Sequence, residues 1–522
     1  MAWLAIDAGT SVIKTVLFGD TGAELAVARE SISVTRPLPG HAEQDMTAVW
    51  QTVLTTIEAV LALDRIDRSA IQGIVCTAQG DGVWLVDRDG SPTGPAILWN
   101  DGRAASLVEQ WHDQGILDAA FRLSGSVAYP GLPCAIWRWL AEHDEHNEPD
   151  EHDKNDQKQT RLARSRWSLT ASGWIYRNLT GSIYADLTDA SNPFLDIAAR
   201  TYSPKLFNLF GVETLAHLLP PVSETLPDPL LDELATRLCL PAGTPVIMAP
   251  YDIAATATGS GSVHAGEGCL ILGTTICAEV LVHEIALDGT PAGTTLALRP
   301  AADGQPLFLR AMPTLTGCEA LDWIASTLGI DTLDELSRIA AAASPGAGNL
   351  VFLPYLSPAG ERSPFIAPSA RGSLLGLSLE HTRADIARAV FEGLSFVIRD
   401  CLAATTSTQP HRLAVSGGGS RSDLWCQIIA DVCQCAVIRP QASETGARGA
   451  FFHALVATGK AASLAEAADR CPVASQTFSP ETHTSSLYDT LFHRFLQLRK
   501  HISPTWELMR PAPASITPIE NS

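Results

Sequence analysis

Apolar runs broken by short polar turns open the chain. Trp3 to Ile6 reads as a buried strand that delivers Asp7 to a Gly-containing turn, and the apolar pattern resumes from Val12. "GIVCTA", ending before Gln79, and "GVWLVD", ending before the Asp-Gly turn "RDGS", predict further strands. In "TAVWQTVLTTIEAVLAL", Val49, Val53, Ile57 and Leu61 recur at helical spacing, which predicts a helix capped by Thr47. In "TRADIARAVFEGLSFVIRDCL", Thr382 and Asp385 read as a capping box, and Ile386, Val390, Leu394, Val397 and Cys401 form one buried stripe. Glu392 and Gly393 interrupt that stripe and mark a close approach to a neighbour. The mixture of strands and helices predicts an α/β architecture.

Asp7 and its turn, Ala8 to Ser11, admit two readings. Asp and Gly are ordinary hairpin residues. The same turn can also face an anion with its backbone N–H groups and the Thr10 hydroxyl, while Asp7 holds a metal ion. A weak internal repeat bears on the choice. "GCLILGTTICAEVLVH", residues 268–283, again runs an apolar strand through a Gly-Thr turn into a second apolar strand. Two such units far apart in one chain predict related domains that face each other across a cleft. A third Gly-rich turn stands in "HRLAVSGGGSRSDLWCQIIADV", with Leu413 to Val415 as strand, Gly417 to Gly419 as turn and Ser422 as helix cap. It fits either a tight strand-to-helix connection or backbone laid against a flat ring or a phosphate.

At 522 residues the chain is too long for one core, which sets a prior of two large domains. A hydrophobic content of 46% and a charged content of 18% are those of a folded soluble protein. The net charge of −21 argues against nucleic-acid and anionic-membrane partners, both polyanions, and leaves a small neutral substrate as the expected partner. The 11 cysteines are odd in number and scattered without a CxxC pair, so neither a disulfide framework nor a zinc ribbon is expected. Cys433 and Cys435 read as core packing at strand spacing. The N-terminus lacks a basic region, and no apolar stretch is long enough to span a bilayer, so a reducing, cytoplasmic setting is expected. "EHDEHNEPDEHDKNDQK", Glu142 to Lys158, contains His143, His146 and His152. With no apolar anchor it reads as a solvated loop in preference to a metal cluster.

Ten segments in order now identify the chain as resembling the FGGY family of carbohydrate kinases: "DAGTS", "AILWNDGRA", "NLTGSIYADLTDASN", "TYSPKLFNLFG", "PYDIAATATGSG", "LGTT", "GERSPF", "ARGSLLGLSLEHTRADIARAVFEGLSF", "SGGGSRSDLWCQIIAD" and "ETGARGA". The resemblance implies an α/β fold of two ribonuclease-H-like (actin-like ATPase) domains. The N-terminal domain would span 1–249, mainly on the sugar side with the first phosphate turn, and the C-terminal one 250–505, on the nucleotide side. Nucleotide and sugar would meet in the cleft between them. ATP and Mg²⁺ are the implied cofactors, with Asp7 beside the metal. Thr10, Ser11, Lys14, Gly273 and Thr274 would serve the nucleotide phosphates, and Gly417, Gly418 and Ser422 match the family's adenosine-binding turn. A homodimer is left open as the assembly.

The family's catalytic base maps onto Asp252 in "APYDIAATATGSG". A sugar hydroxyl is a poor nucleophile until a carboxylate accepts its proton, a contribution worth about 10² to 10⁴ in rate. An N-cap role for Asp252, ahead of an Ala-rich helical run, is compatible. On the substrate side, glycerol kinase carries Gln-Arg-Glu and xylulokinase typically Gln-Met-His, where this chain has Gln79, Gly80 and Asp81. Asp81 would accept hydrogen bonds from hydroxyls, and Gly80 would leave room beside it. Tyr129 falls where glycerol kinase has a substrate-side Tyr, although Cys134 replaces the usual Lys of that motif. The resemblance therefore implies ATP-dependent phosphorylation of a terminal hydroxyl of a short polyol, erythritol first. A ketopentose kinase of the xylulokinase or ribulokinase type is the alternative. An actin-like ATPase module that switches conformation and binds a protein partner is an alternative of another class, against which Asp252 and the Gln79–Asp81 segment argue.

Overall fold

The apolar run at the N-terminus forms β1 (Ala2–Ala8), which turns back as antiparallel β2 (Val12–Gly19) and then β3 (Glu24–Ser31). This computed structural model describes residues 1–63, 66–143, 160–223, 227–301, 303–406 and 408–509. β4 (Ile71–Ala78) lies parallel to β1, and β5 (Asp228–Pro229) and β6 (Pro245–Met248) complete a six-stranded sheet of order β5-β6-β4-β1-β2-β3. β1 is buried along its whole length, because helices cover the sheet from both sides, and this explains its unbroken apolar run.

The second half repeats this plan. β7 (Glu267–Leu272) and β8 (Ile276–Val282) form an antiparallel hairpin. β9 (Thr294–Leu298) and β10 (Leu307–Pro313) extend the sheet on the β8 side. β11 (Arg412–Ser416) runs parallel to β7, followed by β12 (Ala436–Pro440) and β13 (Ser475–Phe478). The order is β9-β10-β8-β7-β11-β12-β13. Hairpin plus parallel neighbour is common to both sheets, so the weak sequence repeat is a repeat of topology.

Three local expectations change. α1 (Met46–Leu61) is capped by Asp45, whose Oδ1 accepts from the amides of Thr47 at 2.8 Å and Ala48 at 3.0 Å, so Thr47 is already inside the helix. α2 (Asp252–Gly259) starts at Asp252, with Tyr251 in the cap position, so Asp252 is a first-turn residue and not the N-cap. In α3 (Arg383–Thr405) the Thr382–Asp385 capping box forms, and Gly393 lies against the Phe352 carbonyl, which an added Cβ would approach to 2.4 Å. Cys433 ends α4 (Asp423–Cys433), and Cys435 follows a left-handed Gln434; both are buried, but one comes from a helix end and not from a strand. Of the polar segment, His143 stacks on Trp139 at 4.4 Å, while His146 and His152 lie outside the described residues.

The chain from the second sheet returns to the first. α5 (Thr445–Ala457) places Ala447, Ala450, Phe451 and Ala454 against Trp3, Ala5, Val16 and Phe18, with the Phe18 and Phe451 rings stacked at 5.1 Å. α5 also crosses α2 at two glycines. A Cβ on Gly259 would lie 1.9 Å from the Thr445 carbonyl, and one on Gly449 1.8 Å from that of Ala255. No side chain fits there, so backbone contact sets how closely the helices behind the cleft approach. Among the described residues no helix is long and apolar enough to cross a membrane.

Candidate active site

Asp7 is the penultimate residue of β1 and is nearly buried, opposite Lys14 on β2. The Lys14 ammonium stands 3.6 Å from Asp7 Oδ2 and 3.0 Å from Glu444 Oε2, and Glu444 also pairs with Arg29. Burial pushes the Asp7 carboxyl up, Lys14 opposes this, and Glu444 adds to it. Burial alone would lower the Lys14 ammonium, but Asp7 and Glu444 outweigh it and raise its pKa. Gly446 packs against Asp7, where a Cβ would sit 2.8 Å from Oδ2, so a side chain at this position would crowd the carboxylate. A single carboxylate is a donor set that fits Mg²⁺ bound in the mode that takes its remaining oxygens from phosphate and water. Among the described residues no group of three or more His, Cys, Asp or Glu forms an all-protein metal cage.

The remaining phosphate-turn residues are contiguous with Asp7 through packing. A Cβ on Gly417 would lie 2.6 Å from the carbonyl of Leu272, which precedes the Gly273 turn. Ser416 and Thr445 share a hydroxyl hydrogen bond at 2.8 Å, and Thr445 precedes Gly446. Gly273 bonds its own turn, donating N–H to Thr275 at 3.1 Å, and Thr274 is exposed, as is Ser11 on the first turn. Gly418 faces open space. Two residues expected at the nucleotide have their side chains occupied. Thr10 donates its hydroxyl to Gln79 Oε1 at 2.9 Å and accepts from the Trp99 indole at 3.0 Å. Ser422 caps α4 through the Trp425 amide at 3.2 Å and pairs with Ser337 at 2.8 Å. Both hydroxyls brace turns from behind.

Gln79 is occupied in the same way, since its amide nitrogen donates to Gln44 at 2.8 Å. Asp81 is engaged through both of its carboxylate oxygens. Its backbone is left-handed (φ 59°), a conformation that Asp tolerates and that turns its side chain out of the strand path. Tyr129 donates to Asp81 Oδ2 at 2.5 Å and Asn192 Nδ2 donates to Oδ1 at 3.0 Å. Burial pushes the Asp81 carboxyl up to about 6 against the lowering effects of Tyr129, Asn192 and Arg362. The space expected beside Gly80 is absent: a Cβ there would lie 2.5 Å from the ring of Tyr251. Gly80 is small because Tyr251 already fills its side, not to admit substrate. Tyr251 is held in turn by its amide bond to Thr188 Oγ1 at 3.0 Å.

Asp252 follows Tyr251 and accepts from the Ile253 amide at 2.8 Å. Burial pushes its carboxyl up to about 7, with further upward contributions from Asp7 and Asp81 and lowering by the Ile253 and Gly80 amides. Its carboxyl therefore feels the charge of both Asp7 and Asp81. A separate cavity of about 670 Å³, lined by residues such as Ile247, His264 and His453, includes none of these acids and is not the reaction cleft. Tyr251, Asn192, Trp99, Arg362 and Glu444 were not singled out as site residues from sequence. All five stand inside quoted motifs, but which motifs face each other is a property of the fold.

Two Gly-Thr turns, at Gly9 and Gly273, and the buried carboxyls of Asp7, Asp81 and Asp252 make up the candidate site. The N-terminal domain model of the FGGY family of carbohydrate kinases matches residues 2–259, and the C-terminal domain model matches residues 268–458. The chain belongs to the FGGY family of carbohydrate kinases, and it is an ATP-dependent phosphotransferase of the actin-like ATPase fold. It is 30% identical to the L-xylulose/3-keto-L-gulonate kinase of Escherichia coli, covering 95% of this chain and 96% of that one. It is 29% identical to the erythritol kinase of Brucella abortus, covering 97% of each. The structure of a ligand-bound xylulose kinase from Lactobacillus acidophilus superposes with a TM-score of 0.86 at 22% identity, covering 97% of this chain and 99% of that one, and so shares the fold.

Proposed function

We propose that the protein transfers the γ-phosphoryl group of ATP to the terminal hydroxyl of a short open-chain sugar, a five-carbon 2-ketose ahead of erythritol. The observation that carries this reading is the position of Asp252, a carboxyl pushed up to about 7 that feels both Asp7 and Asp81. A general base works best with a pKa near the operating pH. The substrate's terminal hydroxyl lies against Asp252, which takes its proton as the oxygen bonds to the γ-phosphorus and the bond to the β-phosphate oxygen breaks, releasing ADP. Asp7 would hold Mg²⁺, which when bound neutralises charge on the transferred group. Lys14, Ser11, Gly273 and Thr274 line the phosphates, Gly417 and Gly418 pass the adenosine, and Thr10, Gln79 and Ser422 position these turns.

Asp81 and Tyr129 hold the far hydroxyls of the substrate. With Tyr251 beside Gly80, the cleared-space argument for a four-carbon polyol no longer applies, and the relative named for L-xylulose supports a ketopentose. Erythritol is the second reading, favoured by the relative of that name. We place the boundary between the two domains at 249/250 and the enzyme in the cytoplasm, where its eleven free thiols would persist. A homodimer is the assembly to test by sedimentation. The function is tested by coupled measurement of ADP release with erythritol, threitol, glycerol, ribitol, xylulose and ribulose. Sugar-dependent turnover that is fastest with a ketopentose is expected. ATP turnover indifferent to every sugar would contradict the reading and favour a nucleotide-driven switch.

A further inference from the structure

The "GERSPF" segment plays no part in the reading above, yet it reaches the sugar pocket from the other half of the chain. Glu361 is buried, and its Oε1 accepts the backbone amides of Leu315 at 3.0 Å, Arg362 at 2.8 Å and Ser363 at 3.3 Å. These bonds clamp the loop after β10 to the loop that carries Arg362. The Arg362 Nε donates to the Pro313 carbonyl at 3.0 Å, which fixes the side chain along its length. Its guanidinium carbon then lies 4.8 Å from the centre of the Tyr129 ring, the same Tyr129 that holds Asp81. The terminal Nη groups of Arg362 take no hydrogen-bond partner among the described residues, and the buried Oδ1 of Asn192, on the far side of Asp81, also has none.

Two donors on a fixed plane and one acceptor are thus left over around Asp81. A guanidinium donates and cannot accept, whereas Asp81 and Asn192 Oδ1 accept. A carbonyl oxygen accepts only, and the hydroxyl beside it can donate. We propose that Arg362 is a substrate-reading residue that donates to the carbonyl oxygen of a 2-ketose, while the neighbouring hydroxyl donates to Asp81 or Asn192, so that the pocket selects a ketose over the polyol of equal length. This rests on the sugar-kinase reading above and names the substrate class of that same site. A polyol places a hydroxyl where the carbonyl would be and must turn that hydroxyl's hydrogen away from the fork. Polar sites built for a particular partner discriminate through the group left without one.

The test compares xylulose with xylitol, and ribulose with ribitol, in wild type, Arg362→Gln and Arg362→Lys. Wild type should favour each ketose, and Arg362→Gln should lower kcat/KM for the ketoses about tenfold or more, chiefly through KM, while the polyols change by less than about twofold. Equal losses on ketose and polyol, or no loss on either, would overturn the assignment and leave Arg362 as a support for Tyr129. If Arg362→Gln does not fold, Arg362→Lys, which keeps the charge but not the planar fork, carries the same comparison with a smaller ketose-specific loss expected. Calorimetric titration of the same sugars without nucleotide repeats the comparison independently of turnover. Ketose binding without phosphorylation would contradict the kinase reading alone, and wild-type binding of ketose no tighter than polyol would contradict the role of Arg362.

Discussion

Tyr129 donates its phenolic hydroxyl to Asp81 at 2.5 Å, while Arg362 from the other half of the chain lies over the same ring. The pair joins an acid on a left-handed turn to a residue from a separate segment, and it is one of three influences that keep Asp81 from being fully neutralised by burial. Tyr129→Phe removes the donor but keeps the ring under Arg362. A hydrogen bond to a charged group contributes about 1.5 to 3 kcal/mol, so kcat/KM should fall roughly tenfold to a hundredfold. The loss should be larger at pH 6 than at pH 8, because without the phenol Asp81 holds its proton to higher pH.

The pH dependence of the wild type follows from Asp252. Its carboxyl must be ionised to take a proton, and its pKa is raised from 3.8 to about 7, so kcat/KM should fall below pH 7 and level off above it. Stability has the opposite slope. The folded state keeps the Asp252 proton over a range in which the unfolded chain has lost it, so raising the pH from about 4 to about 7 favours unfolding. Thermal melts of Asp252→Asn and wild type should therefore separate as pH rises through this window, with the variant the more stable at pH 8 and the gap closed below about pH 4.

Gly80 should tolerate no side chain. A Cβ would lie 2.5 Å from the Tyr251 ring, so Gly80→Ala should cost about 1 to 3 kcal/mol of stability in chemical denaturation and lower activity on short and long substrates alike. In a Tyr251→Ala background the same Gly80→Ala change should cost much less, since neighbours that compete for one space couple strongly in a double-mutant cycle. Independent, additive losses would contradict the contact.

Lys14 holds Asp7 and Glu444 together across the two halves. Lys14→Met should raise KM for ATP about tenfold or more, equivalent to about 1.4 kcal/mol, while KM for the sugar changes little. Initial-rate measurements with each substrate varied in turn check this, and equal changes in both constants would contradict a phosphate-side role.

Much of the fold was legible because both hairpins write the same pattern, an unbroken apolar strand into a Gly-Thr turn. Asp7 and Asp252 could be named as candidates because each stands in an ordered motif whose chemistry calls for an acid, and Asp81 because it follows Gln79 at the end of a predicted strand. Local patterning could not show that Tyr251 fills the side of Gly80, since the two are far apart in the chain and meet only when α2 packs beside β4. The same limit hid the return of α5 to the first sheet: its apolar face reads as core without saying whose core. Side-chain direction was the third gap. Thr10 and Ser422 sit at the expected turns, but their hydroxyls point back into the scaffold, a choice made by Trp99, Gln79 and Ser337.

The most direct measurement is turnover by Asp252→Asn set against its own ligand affinities. The amide keeps the shape of the carboxylate and cannot take a proton, so dissociation constants for ATP and the preferred sugar should stay within about threefold of wild type. Meanwhile kcat should fall by about 10² to 10⁴, and the decline of kcat/KM below pH 7 should disappear. A variant that keeps more than roughly a tenth of wild-type kcat, with the acid limb intact, would contradict Asp252 as the base.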